Sequence, residues 1–236
     1  MLTTLLSPLF KWLASKGWDA GVKPKRMELI TADQLNKVTD TLVQSRCEEL
    51  AELFNEAANN YGITDKVVFN SFAANLLQES GECSHKEENM YYSKPERIKA
   101  VWPSRFATVS DAVPYAKNPQ KLSNLVYGNR MGNTEPNDGF TYKGAGFIGI
   151  TGKELYTKYA NYIGKPVAEA AELIRTTDKY SMDSAAWFFA VYKKLIPIAK
   201  EGDFKKVCSL INTGSANKTA IGMNVREKYY NRLQSL

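Results

Sequence analysis

A single, mainly α-helical domain is the fold class this sequence predicts, and three observations carry the expectation. Apolar residues recur three and four apart in one segment after another, with capping residues at the starts and glycines at the ends. The chain has 236 residues, 44% apolar and 24% charged, enough for one substantial core and short for two. No period of roughly 20–50 residues repeats and nothing is low in complexity, which excludes solenoids, fibres and disordered tails.

The N-terminal segment reads as separate from that domain. Leu2, Leu5, Leu6, Leu9, Phe10 and Leu13 form an amphipathic helical stripe, interrupted by Pro8 and Lys11. It is shorter than the roughly 20 apolar residues that cross a bilayer, so no transmembrane helix is expected. A basic leader and a small-residue cleavage site are both missing, so no secretory signal peptide is expected either. Two readings are open for the stripe: docking on the domain surface, or contact with a membrane. Gly17, Gly21 and Pro24 mark a linker, which assigns residues 1–30 to segment and linker and 31–236 to the domain.

Within the domain, Thr31 and Gln34 form a capping box that opens a helix with Leu35, Val38 and Leu42 facing inward. A second helix runs from about Glu48 to Tyr61 and is stopped by Gly62. Thr64 or Asp65 caps a third, in which Val68, Phe69, Phe72, Ala73, Leu76 and Leu77 make a broad buried face up to Ser80-Gly81. Further helices are expected near 118–127, 153–163, 181–194, 203–211 and 224–234, with Trp187, Phe188, Phe189 and Tyr192 as helix core. Residues 128–150 carry six glycines and few apolar side chains, which predicts a long loop or a small hairpin.

Charge and cysteine usage narrow the chemistry. The net charge is +6, and residues 1–192 balance, with 22 basic and 22 acidic side chains. The excess therefore lies in residues 193–236, where nine basic side chains (Lys193, Lys194, Lys200, Lys205, Lys206, Lys218, Arg226, Lys228, Arg232) face three acidic ones. Such an end attracts anionic polymers or surfaces by its long-range field, or it is a solvated helix face. Cys47, Cys83 and Cys208 are odd in number and far apart, so a reducing compartment is expected and a disulfide framework is not. His85 is the sole histidine, which excludes a multi-histidine metal site. No metal or cofactor is expected.

Catalytic candidates cluster at the end of the third helix. Glu79 lies three residues after Leu76 and seven after Phe72, on their apolar face and near the helix C-terminus. Burial and the helix dipole there both predict a raised carboxyl pKa, which suits a general acid. The bland alternative is a helix-terminal carboxylate in a salt bridge. Glu87 and Glu88 follow in the polar run from Ser84 to Asn89, where solvated carboxylates stay ionised and suit a general base. Two carboxylates in contrasting environments are what glycosidic hydrolysis requires.

Longer motifs add a resemblance. Phe72-Ala73-Ala74-Asn75-Leu76-Leu77-Gln78-Glu79-Ser80-Gly81, followed by Glu88-Asn89-Met90-Tyr91-Tyr92-Ser93, resembles the signature of glycoside hydrolase family 19. Val126-Tyr127-Gly128-Asn129-Arg130-Met131-Gly132-Asn133 and the run Gly139 to Gly152 are similar to later motifs of that family. Asp183 to Phe189, Ile211-Asn212-Thr213-Gly214 and Arg226 complete an ordered match over about 33–236. The branch it resembles is that of phage endolysins and bacterial lysozyme-like members.

The resemblance implies a lysozyme-like helical fold and an inverting acid/base mechanism on peptidoglycan glycan strands. It implies Glu79 as acid, Glu88 as base, with Glu87 the competing candidate, and Thr151 as the hydroxyl that positions the attacking water. Substrate contacts are implied at Asn89, Tyr127, Asn129, Arg130, Asn212 and Arg226. A monomer held in the host cytoplasm until a holin gives access to the wall is the implied context, with attraction to the anionic envelope through the basic end. Chitin, or glycan or membrane binding with weak catalysis, are the alternatives. Three departures stand out: Gln78 replaces a histidine, Ala145 an arginine and Gly149 a glutamine, the last two in the expected cleft. Gly144-Ala-Gly146-Phe-Ile-Gly149 fits a dinucleotide fingerprint in letters alone, since no strand precedes it. No nucleic-acid recognition motif accompanies the basic end.

Overall fold

The computed structural model describes residues 26–236. The Leu2–Leu13 stripe and the Gly17–Pro24 linker lie outside the described residues. The described residues are mainly helical, as expected, and their packed body begins at the buried Leu29 and Ile30.

Helix α1 spans Ala32–Val38 and carries the expected Thr31/Gln34 capping box. Its partner α2, Gln44–Asn60, begins about one turn earlier than expected, because Val43 holds the N-cap position without a side-chain bond for the sequence to announce. Helix α3, Lys66–Glu79, is capped by Asp65, whose carboxylate accepts from the amides of Val67 and Val68. Every residue of α3 from Val68 to Leu77 is buried, so this helix is central rather than amphipathic. Phe54 of α2 meets Phe69 and Phe72 edge-on, and Phe72 meets Phe189. Each such aromatic pair contributes about 0.5–1.5 kcal/mol beyond its buried area.

Beyond α3 come α4 (Pro95–Val101), α5 (Val109–Ala112), α6 (Pro119–Tyr127) and α7 (Asp138–Thr141). The C-terminal half adds α8 (Lys153–Ile163), α9 (Val167–Thr176), α10 (Asp178–Trp187), α11 (Ile196–Lys200), α12 (Phe204–Asn212) and α13 (Met223–Gln234). Helices α4 and α11 carry proline in their first turn, where its missing N–H costs nothing, so Pro95 and Pro197 begin helices rather than break them. The helix expected at 181–194 starts instead at Asp178, capped by Thr177, and gives way to a π-helical turn over Phe188–Tyr192. Trp187, Phe188 and Phe189 are buried, but Tyr192 is 40% exposed and is not core. In the glycine-rich stretch, α7 and isolated antiparallel bridges replace a regular hairpin: Arg130 pairs with Asn133, and Ala145 with both Ile150 and Glu87.

Two apolar cores result. The larger joins α1–α3 to α8–α13 and to Phe147, Ile148 and Ile150. The smaller comprises Met90, Ile98, Phe106, Ala112, Leu122 and Val126, with Tyr92 and Tyr127 packed against it. Cys47, Cys83 and Cys208 are free and buried, and burial pushes the Cys83 thiol up to about 12 and that of Cys208 to about 11. The Cys83 and Cys208 thiols therefore keep their protons, the form that is a poor nucleophile. Tertiary packing also neutralises part of the basic end. Arg226 pairs with Glu79, Lys205 with Glu227, and both Lys228 and Arg232 with Asp40.

Candidate active site

A cleft of about 390 Å³ opens where the two cores meet, lined by Glu79, His85, Glu87, Glu88, Asn89, Tyr127, Gly144, Gly146, Gly149 and Thr151. Glu79 enters it as the last residue of α3. The turn that follows is tight, with Glu82 and Cys83 at left-handed φ of 58° and 60°. Such angles strain non-glycine residues, and the surroundings hold them in place. Ser80 Oγ donates to the Leu76 carbonyl at 2.6 Å and accepts the Cys83 amide at 2.8 Å. The buried Glu82 carboxylate accepts the amides of Asp40 and Thr41 at 2.6 and 2.8 Å and the Tyr229 hydroxyl at 2.9 Å. The end of α3 is thereby tied to both chain ends of the larger core.

Glu79 does not occupy the apolar pocket that its helical register predicts. Its side chain is 23% exposed, and Oε1 lies 2.5 Å from Nη2 of Arg226 on α13. The salt-bridged alternative is the observed geometry, because α3's buried stripe stops at Leu77 and Glu79 lies beyond it. Arg226 is 1% exposed and spends its other donors on Asn75 Oδ1 at 2.5 Å and the Ile221 carbonyl at 3.2 Å. It is thus a buried support behind the cleft rather than part of its lining.

Glu88 reaches the cleft from a short strand-like segment. Its amide donates to the Gly144 carbonyl, and the Gly146 amide donates to the Lys86 carbonyl, both at 2.8 Å. Gly144 eases this approach, since a Cβ there would lie 3.3 Å from Glu88 Oε2 and 3.4 Å from Thr151 Oγ1. The same point measures how near Thr151 stands to the Glu88 carboxylate. The Tyr127 hydroxyl lies 2.9 and 2.7 Å from the two Glu88 oxygens. Burial first, and the negative charge of Glu88 second, hold the Tyr127 phenol well above the ordinary tyrosine range. Tyr127 therefore remains a proton donor to Glu88 at any pH of interest. Tyr127→Phe is expected to lower kcat about tenfold to hundredfold, the value of a hydrogen bond to a charged group. The thermal midpoint should move little, and kinetics paired with thermal melting check this.

The neighbouring carboxylate is committed elsewhere. Glu87 Oε1 sits 2.5 Å from Lys143 Nζ, whose side chain is 7% exposed, and 3.8 Å from Arg175 Nε. Both candidate bases line the cleft, but Glu87 is paired with cations while Glu88 is bound by a phenol.

The sequence-predicted site residues divide into two groups. Glu79, Glu88, Asn89, Tyr127 and Thr151 meet in the cleft. Asn89 is held by its Oδ1, which accepts the Tyr91 amide at 2.8 Å, and the Thr151 hydroxyl donates to the Gly149 carbonyl at 2.9 Å. Asn129 and Arg130 are exposed in the turn after α6, Asn212 accepts the Ile221 amide, and Arg226 is buried; none of these four lines the cleft. Ala145 is buried and paired on both sides, so only Gly149 of the two expected cleft departures borders the cavity. His85 lines the cleft without having been singled out for the reaction; its place in the polar run after Glu79 was the available signal. Among the described residues no group of three or more histidine, cysteine, aspartate or glutamate side chains could hold a metal. Two carboxyl groups lining one cleft can together cleave an acetal by acid/base chemistry, one giving a proton and the other taking one.

No family model matches the chain. The chain is 27% identical over 188 residues to a Haemophilus influenzae protein described as a glycosyl hydrolase family 19 domain-containing protein. That match covers 79% of this chain and 88% of the relative. The likeness is distant, and it is to a family 19 glycosyl hydrolase domain.

Proposed function

We propose that the protein is a glycoside hydrolase of the endolysin type, cleaving the glycan strands of bacterial peptidoglycan by an inverting, muramidase-like mechanism. The observation that carries this reading is the pairing of Glu79 and Glu88 across one cleft, the two anchored by different elements and different partners. Glu79 delivers a proton to the glycosidic oxygen as the bond breaks, and Arg226 receives the carboxylate left behind. Glu88, aligned by Tyr127, takes a proton from water as that water attacks the anomeric carbon, and Thr151 helps hold the water. A single displacement from the face opposite the leaving group inverts the anomeric centre.

The wider context belongs to the same proposal. The chain acts as a monomer held in the host cytoplasm until a holin-type partner gives access to the wall. Lys193, Lys194, Lys200, Lys206 and Lys218 have no ion-pair partner among the described residues and attract the anionic envelope. Among the described residues no helix is long and apolar enough to cross a membrane.

The deciding experiment digests purified sacculi, reduces the new ends with borohydride and identifies the reduced sugar. Reduced N-acetylmuramic acid is the expected product, and the first anomer detected by NMR should be inverted. Release of products from chitin oligomers alone would replace this reading with a chitinase, and release from neither would remove it.

A further inference from the structure

Ile221 is the most exposed large apolar side chain described, at 79%, yet its peptide is held on both sides. Its amide donates to Asn212 Oδ1 at 2.9 Å, and its carbonyl accepts from Arg226 Nε at 3.2 Å. The same guanidinium holds Glu79 through Nη2 at 2.5 Å, so one buried side chain fixes Ile221 relative to the acid. Next to it, Gly222 has φ 71°, and a Cβ there would meet Gln78 Nε2 at 2.7 Å, which presses the loop against the residue preceding Glu79.

The rest of the 213–222 loop is braced from within. The Thr213 hydroxyl donates to the Ser209 carbonyl at 2.8 Å and accepts the Ser215 amide at 3.1 Å, and Ser215 Oγ accepts the Asn217 amide at 3.3 Å. A single exposed isoleucine on a surface needs no explanation. Here the peptide that carries the side chain is hydrogen-bonded to the same Arg226 that holds Glu79, and cations accompany it. Lys218 is exposed within the loop, Lys193 Nζ lies 4.0 Å from the Cβ position of Gly214, and no acidic residue occurs from 213 to 222.

We propose that the 213–222 loop recognises the acidic peptide carried by the glycan on the sugar next to the cleaved bond. This rests on the peptidoglycan reading above and names the feature that separates that substrate from chitin. Ile221 contacts the methyl groups of the lactyl ether and of the first alanine. Lys193 and Lys218 meet the carboxylates further along the peptide. Asn212 and Arg226 act here as positioning residues, presenting Ile221 rather than touching sugar.

The test compares glycan strands bearing peptides with strands stripped by an amidase, and measures binding of a disaccharide–tetrapeptide against the bare disaccharide. Wild-type KM is expected to be about tenfold lower on the peptide-bearing strands, as one apolar contact and one or two screened charges supply. Ile221→Ser, and separately Lys193→Ala with Lys218→Ala, should bring that ratio of KM values toward one. Added salt should narrow it as well. A wild-type ratio of one, or variants that leave the ratio unmoved, would overturn the loop proposal while leaving hydrolysis intact. Preferential binding of the disaccharide–tetrapeptide by a protein that cleaves no sacculi would instead retain the loop proposal and remove the hydrolase reading.

Discussion

Glu79→Gln is expected to lower the proposed peptidoglycan hydrolysis by about 10²–10⁴-fold, the contribution of a positioned general acid. Glutamine is nearly isosteric and offers Arg226 Nη2 an oxygen in place of the one it holds at 2.5 Å. What it lacks is a transferable proton. Arg226 keeps its bonds to Asn75 and Ile221, so the guanidinium is not left without partners. Circular dichroism should report an unchanged fold while kcat on soluble strands collapses. Wild-type turnover by this variant would end the assignment of Glu79 as acid.

A comparable loss, again about 10²–10⁴-fold in kcat, is expected for Glu88→Gln, with Glu87→Gln as its contrast. Glu88 keeps its place through the Gly144 carbonyl and the Tyr127 hydroxyl, so the amide variant retains the geometry without a base. Glu87 pairs with Lys143 and Arg175, and its loss should leave kcat within about tenfold of wild type, below the ~10²-fold that removing a base costs at least. Its effect should appear as a lower thermal midpoint, since the nearly buried Lys143 loses its anion. That penalty falls below the ~3–5 kcal/mol of a fully buried pair because the Glu87 side chain is 41% exposed. Were Glu87→Gln the more damaging in kcat, the base would be Glu87.

Much of the helical framework was legible in local chemistry. The Thr31/Gln34 box, the Asp65 cap and the stripe from Val68 to Leu77 each write a helix boundary or a buried face into consecutive residues. The helices that local chemistry does not announce either open on a proline, as with Pro95 and Pro197, or are short or start without a capping side chain, as α9 does after Pro166. The π-turn at Phe188–Tyr192 rotates side chains away from the register that a 3.6-residue period extrapolates, and Tyr192 ends on the surface for that reason.

The site divides along the same line. Sequence alone determined that the chain is mainly helical, that Glu79 ends a buried helix, and that two carboxylates follow in a polar run nearby. Those are statements about neighbours in the chain, where spacing converts directly into geometry. Only the tertiary structure decided the partners: Arg226 from 147 positions away on Glu79, Tyr127 from 39 positions away on Glu88, and Lys143 on Glu87. It also turned Asn212 and Arg226 from expected substrate contacts into the clamp on Ile221. A carboxylate's chemistry is set by the charge and hydrogen bonds within a few ångströms, and packing alone selects which distant side chains arrive there.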